Sequence, residues 1–184
     1  MAATPPDLFA FLAGLGISVR TVEHAPLFTV ADSQKLRGDI PGGHTKNLFL
    51  KDKKGRIFLV VLLEDAVVDL KRLHDAIGAS GRLSFGSAEL LRATLGVEPG
   101  SVTPFAAIND EAGVVTVVLD TDMLACEQLN YHPLVNTMTS GIAREDLIAF
   151  LRATGHEPLI LPVARPAGRA DAERDCHSAG ATPS

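Results

Sequence analysis

The spacing of apolar residues divides most of the chain into short helices and strands. After Thr4, a capping residue followed by proline, Leu8, Leu12 and Leu15 recur at helical spacing and predict the first helix. Similar stripes closed by a glycine predict two central helices, and runs rich in β-branched residues predict the strands. Helices are predicted over about 4–15, 30–36, 69–77, 87–95 and 145–153, and strands over 17–22, 47–51, 56–63, 114–119, 128–131, 135–139 and 157–163.

The clearest local unit is a hairpin. Two β-rich runs, 47–51 and 56–63, flank the turn sequence Asp52-Lys53-Lys54-Gly55, in which the glycine can adopt a positive φ. The run 114–119 is almost continuously apolar, as is typical of a strand buried on both faces. Helices and strands are mixed without strict βαβ alternation, so the pattern predicts an α/β (α+β) domain with a mixed or antiparallel sheet.

Composition favours one soluble globular domain followed by a tail. The 184 residues are 46% hydrophobic and 21% charged, but residues 164–184 lack apolar periodicity and are predicted to be disordered. The domain is therefore predicted to span 1–163. No apolar run approaches the roughly 20 residues needed to cross a bilayer. The N-terminus has no basic region and carries Asp7, unlike a secretory signal, so a cytoplasmic location is predicted.

Polar residues stand at the start of the first hairpin strand. The segment reads Gly42-Gly43-His44-Thr45-Lys46-Asn47 and leads directly into apolar residues. Lys46 could hold a phosphate or carboxylate as a point charge, and Asn47 could orient a carbonyl or hydroxyl group. The alternative is structural: Lys46 snorkels from a strand end, and Asn47 is a turn residue.

Two later segments are also polar within apolar surroundings. The loop Gly100-Ser101-Val102-Thr103-Pro104 precedes a strand, and its backbone N–H groups could grip an amino or carbonyl group. Glycine and proline also punctuate ordinary loops. In the other segment, Pro133 stiffens the turn after His132, and Thr137 offers a hydroxyl group nearby. A lone histidine at a strand end is otherwise typical of a structural residue.

Other routes to chemistry find no support in the sequence. The six histidines lack zinc-ligand spacing, and the chain has neither a phosphate-binding glycine loop nor a Gly-x-Ser-x-Gly elbow. Cys126 is more typical of a small buried residue than of a nucleophile. Glu64-Asp65 follows the hairpin and could serve as a base, although the pair also suits a strand end. No metal and no cofactor are therefore predicted.

The order of the three polar segments resembles the YbaK/prolyl-tRNA synthetase-associated editing domain family. Lys46-Asn47 precedes the hairpin, Gly100-x-x-x-Pro104 follows, and His132-Pro133 comes last, over about residues 4–163. Within that family the chain looks most like the free-standing alanyl-tRNA(Pro) deacylases. That similarity is carried by Lys46-Asn47-Leu48-Phe49-Leu50-Lys51-Asp52, by Leu129-Asn130-Tyr131-His132-Pro133 and by Asn136-Thr137.

The resemblance implies a fold, a reaction and a set of residue roles. The fold would be a single domain with a central mixed, mostly antiparallel, partly barrel-like sheet surrounded by helices. The reaction would hydrolyse the ester between alanine and the 3′-terminal adenosine of tRNA(Pro), using water and the ribose hydroxyl, without a metal or covalent nucleophile. Lys46 would hold the terminal phosphate or aminoacyl end, and Asn47 and His132 would shape the pocket. The 100–104 loop, Thr45 and Thr137 would bind the substrate.

The implied partners are the acceptor end of a mischarged tRNA and prolyl-tRNA synthetase, with no role for DNA or a membrane. Two alternatives stay open. One is a related deacylase that clears cysteine or serine, because the sequence does not reveal the pocket volume. The other is a non-catalytic module that binds tRNA or a synthetase, although such a module would not require Lys46, Asn47 and His132.

Charge is unevenly distributed along the chain. Seventeen basic and 22 acidic residues give a net charge of −5, which by itself argues against a nucleic-acid-binding protein. Residues 34–56 nevertheless contain seven basic and two acidic residues, a local balance of +5. A solvated, lysine-tipped hairpin would have the same sequence, but a local basic patch also suits a protein that grips only the end of a tRNA. The net charge therefore excludes only a protein that wraps its RNA.

Overall fold

An open, mixed β-sheet is the framework of the protein. The computed structural model describes residues 1–26 and 40–164. The strands are β1 (Arg20–Glu23), β2 (Gly43–Lys51), β3 (Ile57–Leu63), β4 (Ser84–Phe85), β5 (Val115–Asp120), β6 (Gln128–Tyr131), β7 (Met138–Ala143) and β8 (Leu159–Leu161). They are ordered β1-β7-β6-β2-β3-β5-β8 in space, and β4 pairs with β2 beside this path.

The two halves of the sheet meet at β2. β3 runs antiparallel to β2 along Thr45–Lys51, β6 runs parallel to its beginning, and β4 runs antiparallel to its end. Because β3 occupies one edge of β2, β6 and β4 share the other edge. Among the described residues, four of the seven pairings are antiparallel and three are parallel. The predicted fold class, a single α/β domain with a mixed and mostly antiparallel sheet, is confirmed.

Helices cover both faces of the sheet, but unequally. The helices are α1 (Pro5–Gly14), α2 (Leu70–Ala76), α3 (Ala88–Leu95) and α4 (Arg144–Ala153), with 3₁₀ turns at Pro104–Asn109 and Met123–Ala125. Helices α1, α3 and α4 share a core with Leu59 and Val61 of β3, whereas α2 packs against Phe58, Val60 and Leu62 of the same strand. Strand β3 is therefore buried on both faces. Among the described residues, no helix is long and apolar enough to cross a membrane.

Most predicted elements are confirmed. The predicted hairpin is present, and the four described helices end within one residue of the predicted bounds. The first strand is shorter than predicted and begins at Arg20, and the last strand is confined to Leu159–Leu161. The predicted helix 30–36, and the predicted disordered tail beyond Ala164, lie outside the described residues.

The strand predicted over 135–139 is wrong, because the chain turns there instead. Leu134 has a positive φ of 69°, and its N–H donates to the carbonyl of His132 at 2.9 Å. Pro133 has no N–H to contribute to a ladder, and a left-handed residue reverses the chain. Extended pairing begins only with β7. The β-branched residues of this segment favoured a strand. The turn nevertheless occupies residues 133–137, so only Met138 and Thr139 of the predicted strand are extended.

One buried carboxylate organises the hairpin turn. Asp52 is only 5% exposed. It accepts hydrogen bonds of 2.8–2.9 Å from the backbone N–H groups of Lys54, Arg56 and Ser80 and from the Arg56 guanidinium. Burial by itself would raise the pKa of Asp52, but the hydrogen bonds from Ser80, Arg56 and Lys54 outweigh burial and lower that pKa to about 2. The charged carboxylate therefore stabilises the turn.

We predict that Asp52→Asn lowers the thermal midpoint at pH 7 by about 5 °C, because an amide cannot accept from donors on both sides. The wild-type contribution is present above pH 4 and is lost as the pH falls toward 2 and the carboxylate takes up a proton. In Asp52→Asn this contribution is absent, so the thermal midpoint of the variant should fall less than that of wild type between pH 4 and pH 2. Thermal unfolding between pH 7 and 2 measures both effects, with the exposed Asp122→Asn as control. Equal midpoints for Asp52→Asn and wild type at pH 7 would contradict the prediction.

Candidate functional site

Strand β2 turns its two candidate residues toward opposite faces of the sheet. Side chains alternate along a strand. Leu50 packs in the core beneath α2, whereas Phe49 packs in the core of α1, α3 and α4. Lys46 therefore lies on the face of α2, and Asn47 lies on the opposite face. Adjacency in the sequence does not bring these two side chains together.

Lys46 carries a positive charge to the edge of the α2 face. The residue is half-buried, and its ammonium donates a hydrogen bond to the carbonyl of Ala66, in the connection between β3 and α2. This bond satisfies Lys46 in the way that the structural interpretation of a snorkelling lysine expected. An ammonium has three donors. The N–H donors of Lys46 that do not contact the Ala66 carbonyl can bind a phosphate or a carboxylate group.

The pairing of β2 with β6 puts a histidine on the same face of the sheet as Lys46. Gly43 pairs with Leu129 and His44 with Asn130 in parallel register. The ladder ends there, but Lys46 and His132 each lie two residues beyond the His44–Asn130 pair, so strand alternation directs both side chains to the same face of the sheet. The hydroxyl of Thr45 supports this junction by donating to the carbonyl of Asn130 at 2.8 Å. The predicted Lys46 and His132 thus belong to one group, defined here as the lysine–histidine face.

The hydrogen bonding of His132 fixes its tautomer. Its Nδ1 lies 2.8 Å from the carbonyl oxygen of Met138, and since a carbonyl only accepts, Nδ1 carries the proton. Burial lowers the pKa of His132, and the neighbouring His24 lowers it further, against the opposing effect of the Met138 hydrogen bond. The imidazole is therefore neutral at pH 7. Its Nε2 presents a lone pair that can accept a proton.

A second histidine, His24, contributes to the same face, although the sequence analysis gave it no role. The ring centroids of His24 and His132 are 6.1 Å apart. His24 is held through Nδ1 by the carbonyl of Ala25 at 2.8 Å and through Nε2 by the hydroxyl of Thr139 at 2.9 Å. The sequence did contain a signal for this role. His24 is followed by Pro26 at the end of a strand, much as His132 is followed by Pro133.

On the opposite face, Asn47 ties β2 to the predicted 100–104 loop. Its Nδ2 donates to the carbonyl of Val102 at 2.9 Å, which leaves Oδ1 as the other end of the amide. That Oδ1 is buried and has no hydrogen-bond partner. A buried acceptor without a partner costs about 1–3 kcal/mol, so this oxygen is a candidate for binding a substrate donor.

The loop itself is largely buried, and a 3₁₀ turn separates it from β5, the strand that was predicted to follow it. Thr103 is fully buried, and its hydroxyl accepts from the N–H of Phe105 at 3.3 Å, so that it caps a 3₁₀ turn beginning at Pro104. A hydroxyl cap before proline at the first helical position favours this turn. Ser101 is also buried, whereas Gly100 is exposed and has a positive φ of 94°.

Asn130 is a further buried polar residue that the sequence analysis left without a role. It is 4% exposed, and its Nδ2 donates to the carbonyl of Pro41 at 3.0 Å, while its Oδ1 has no partner. Its neighbour across the β6–β7 pair must be glycine, because a Cβ on Gly141 would lie 3.1 Å from Asn130 Oδ1 and 2.1 Å from Gln128 Nε2. The sequence signal for a special role of Asn130 was its position within a predicted strand, because asparagine is rare in strands.

The predicted site residues therefore fall into two groups and one outlying position. Lys46 and His132 share the lysine–histidine face, whereas Asn47 and the 100–104 loop lie on the other side of β2. Thr137 is exposed, and its carbonyl accepts from the N–H of His24 at 2.9 Å. In residues 1–26 and 40–164, no group of three or more His, Cys, Asp or Glu side chains is placed to hold a metal ion.

An open mixed sheet covered by helices, with a lysine and a neutral histidine on one face, defines an α/β protein with a polar site built on its central strands. The profile of the aminoacyl-tRNA editing domain matches residues 24–150. The chain belongs to this family, as the resemblance predicted. The match begins at His24, the histidine that the fold brings next to His132.

Curated relatives and solved structures agree with this assignment. The prolyl-tRNA synthetase associated domain-containing protein 1 of Bos taurus is 39% identical over 154 residues, covering 82% of this chain and 90% of the relative. The prolyl-tRNA editing protein ProX of Acetoanaerobium sticklandii is 37% identical over 150 residues, covering 81% and 91%. The crystal structure of a candidate trans-editing enzyme for prolyl tRNA synthetase has the same fold, with a TM-score of 0.65, 19% identity and coverage of 88% and 98%.

We predict that His132 titrates below pH 6.5, the ordinary value for histidine, and carries its proton on Nδ1. Nitrogen-detected NMR of the imidazole rings measures both properties. Replacing His24 by Gln removes a second ring that can become positive, so the pKa of His132 should rise in that variant. His156→Gln serves as the control. The ring that it removes contacts Asp110, so its NMR signal can be assigned and the pKa of His132 should not change. A wild-type pKa at or above 6.5 would contradict the prediction.

Proposed function

We propose that this chain is a trans-editing deacylase that hydrolyses alanine from mischarged tRNA(Pro). The observation that carries the proposal is the lysine–histidine face, where a neutral imidazole with a free Nε2 lone pair and an ammonium group lie on the same side of the sheet. An ester hydrolysis needs a proton acceptor for water and a positive group for a phosphate or a developing oxyanion. Both kinds of group are present on this face, in a chain that belongs to the aminoacyl-tRNA editing domain family.

In the proposed reaction, His132 acts as the general base. The water oxygen bonds to the ester carbonyl carbon as its proton passes to Nε2. The tetrahedral intermediate then expels the ribose oxygen, which takes the proton back from Nε2 and releases alanine and tRNA. The low pKa of His132 keeps Nε2 unprotonated at pH 7, so the base is available before substrate binds. The ribose hydroxyl implied by the family resemblance is a second carrier for the same proton.

Lys46 is proposed to hold the terminal phosphate or the aminoacyl end against this base. An ammonium acts as a point charge and needs no fixed bidentate geometry. Aminoacyl esters are already reactive, so positioning of water and substrate can supply much of the required acceleration. Asn47, Thr45, Thr137 and the loop Gly100-Ser101-Val102-Thr103-Pro104 stay predictions for substrate binding, with the unpartnered Asn47 Oδ1 as the candidate acceptor.

The biological need for such an activity follows from the limits of size discrimination. A synthetase site shaped for proline rejects a smaller amino acid only weakly, since each missing methylene is worth about 1–3 kcal/mol. A second site that admits alanine and excludes proline supplies the missing discrimination. The names of the bovine and bacterial relatives connect them with prolyl-tRNA synthetase and prolyl-tRNA editing. We therefore propose tRNA(Pro) as the substrate and prolyl-tRNA synthetase as a partner in the cytoplasm.

The substrate is tested by incubating the protein with tRNA(Pro) charged with alanine, cysteine, serine or proline and following amino-acid release. We expect release of alanine at least tenfold faster than of the other three. Faster release of cysteine or serine would make the chain a deacylase of different specificity. No release from any of the four would refute the enzyme and favour a non-catalytic module that binds tRNA or a synthetase.

We predict that Lys46→Ala reduces alanine release by about 100-fold or more, because the substrate loses its positive anchor. Lys46→Arg keeps the charge and should retain more activity than Lys46→Ala. Arg92→Ala, which removes an exposed cation from α3, is the control and should leave the rate unchanged. Thermal unfolding checks that each variant is folded. Full activity of a folded Lys46→Ala protein would show that Lys46 has a structural role only.

A further inference from the structure

An open groove lies between the beginning of α2 and strand β4, away from His132. Leu70, Leu83 and Phe85 give the groove apolar surface, and Lys53, Lys71 and Arg82 surround that surface with positive charge. The groove takes one residue from the hairpin turn, two from α2 and the rest from the segment around β4. None of the six has a role in the proposed chemistry.

Phe85 is exposed although its strand partner is not. Phe85 pairs with Leu50 of β2, yet Phe85 is 60% exposed and Leu50 is 1% exposed. The next residue, Gly86, is held closely against β2: its N–H donates to the Phe49 carbonyl at 2.9 Å, and a Cβ there would lie 2.4 Å from the Phe49 ring. A single exposed aromatic residue is common on protein surfaces. Its combination with the neighbouring charges carries the inference.

The three cations of the groove are not used within the fold. Among the described residues, no ion pair involves Lys53, Lys71 or Arg82, whereas the arginines at 56, 92, 144 and 152 each contact a carboxylate within 2.9 Å. The aliphatic stem of Lys53 lies over Gly81, where a Cβ would be 3.2 Å from its Cδ. This close approach holds the lysine next to Arg82. Asp69, which caps α2, accepts from the backbone N–H of Lys71, and Asp75, one turn after Lys71, lies 3.2 Å from His74 Nε2.

The groove and Lys46 lie toward opposite ends of the same face of β2, and α2 packs on the residues between them. Lys46 and Leu50 lie on the same face of β2, four residues or about 13 Å apart at 3.3 Å per residue. Strands β6 and β4 share one edge of β2, so the lysine–histidine face lies beside the first and the groove beside the second. The carbonyl that Lys46 contacts belongs to the connection leading into α2. A single strand of RNA that ends at Lys46 would therefore have to pass along the edge of α2 to reach the groove, over a distance that a few nucleotides can span.

We propose that this groove binds a single-stranded nucleotide of the RNA substrate, with the base stacked on Phe85 and the adjoining phosphates in contact with Lys53, Lys71 and Arg82. The inference rests on the proposed function. Single-stranded nucleic acids are bound by such a combination of an aromatic surface and positive charges, and stacking tolerates any base. Three unpaired cations around one aromatic ring favour a polyanion over an apolar protein segment.

The test measures binding of uncharged RNA, so it does not depend on catalysis. The probe is a fluorescent RNA hairpin with the acceptor stem of tRNA(Pro) and a single-stranded 3′ CCA end. We expect Phe85→Ala to weaken binding about tenfold and Phe85→Trp to retain it, whereas Phe85→Leu should behave like Phe85→Ala because it keeps apolar area without a π face. Thermal unfolding confirms that the variants are folded, as expected for a 60% exposed side chain.

The charged residues are tested by the salt dependence of the same binding. Lys71→Gln and Arg82→Gln should each reduce the slope of log K against log salt concentration by about 0.7, the value for one phosphate contact on a single strand. Arg72→Gln removes an exposed cation from the same helix without changing the groove, and its slope should equal that of wild type. Unchanged affinity in Phe85→Ala, together with unchanged slopes in Lys71→Gln and Arg82→Gln, would overturn the proposal.

Hydrolysis of two esters separates this inference from the proposed function. Alanyl-adenosine carries no phosphate and cannot reach the groove, so Phe85→Ala should hydrolyse it at the wild-type rate while losing about tenfold in kcat/KM on alanyl-tRNA(Pro). Equal kcat/KM on alanyl-tRNA(Pro) would overturn the groove and leave the deacylase intact. If wild type hydrolyses neither ester, the proposed function fails, and the affinity of Phe85→Ala for the RNA hairpin still decides the groove.

Discussion

The close approach of β2 and β6 is the contact on which the rest of the structure depends. Only two residue pairs join these strands, and they connect the β1-β7-β6 half of the sheet to the β3-β5-β8 half. Glycines make the approach possible: a Cβ on Gly43 would lie 2.8 Å from Cys126 Sγ, and a Cβ on Gly42 would lie 2.8 Å from the Gln128 carbonyl oxygen. The same junction sets the face on which Lys46 and His132 both lie. A larger residue at either glycine would require Cys126 or the Gln128 carbonyl to shift, which would strain this junction.

Two asparagines with buried amide oxygens show how the fold leaves acceptors available. In both Asn47 and Asn130, a backbone carbonyl fixes the amide nitrogen, and Oδ1 is left buried without a partner. Because an unsatisfied acceptor destabilises the folded state by about 1–3 kcal/mol, these oxygens are expected where a ligand or water completes the bonding. They lie on opposite faces of the sheet. The candidate site is therefore divided by β2 rather than gathered in one cleft.

Local signals in the sequence were sufficient for most elements, but not for the turn after β6. Helices were recovered because their apolar stripes begin at recognisable caps, such as Thr4, whose N–H and hydroxyl are accepted by Asp7, and Ser87, whose hydroxyl accepts from Leu90. The turn depends on a leucine at positive φ, a conformation that residue type does not favour. Contacts such as His24 to Thr139, 115 residues apart, have no local signal.

The sequence by itself determined the helices, the hairpin, the α/β class and the family, because these follow from periodicity, capping and the order of short motifs. It also identified Lys46 and His132 as candidates. Only the tertiary structure decided that Lys46 and Asn47 face opposite sides, that His24 joins His132, and that Phe85 stands exposed among unpaired cations. Strand alternation and sheet register decide those facts, and register is set by pairing between distant segments.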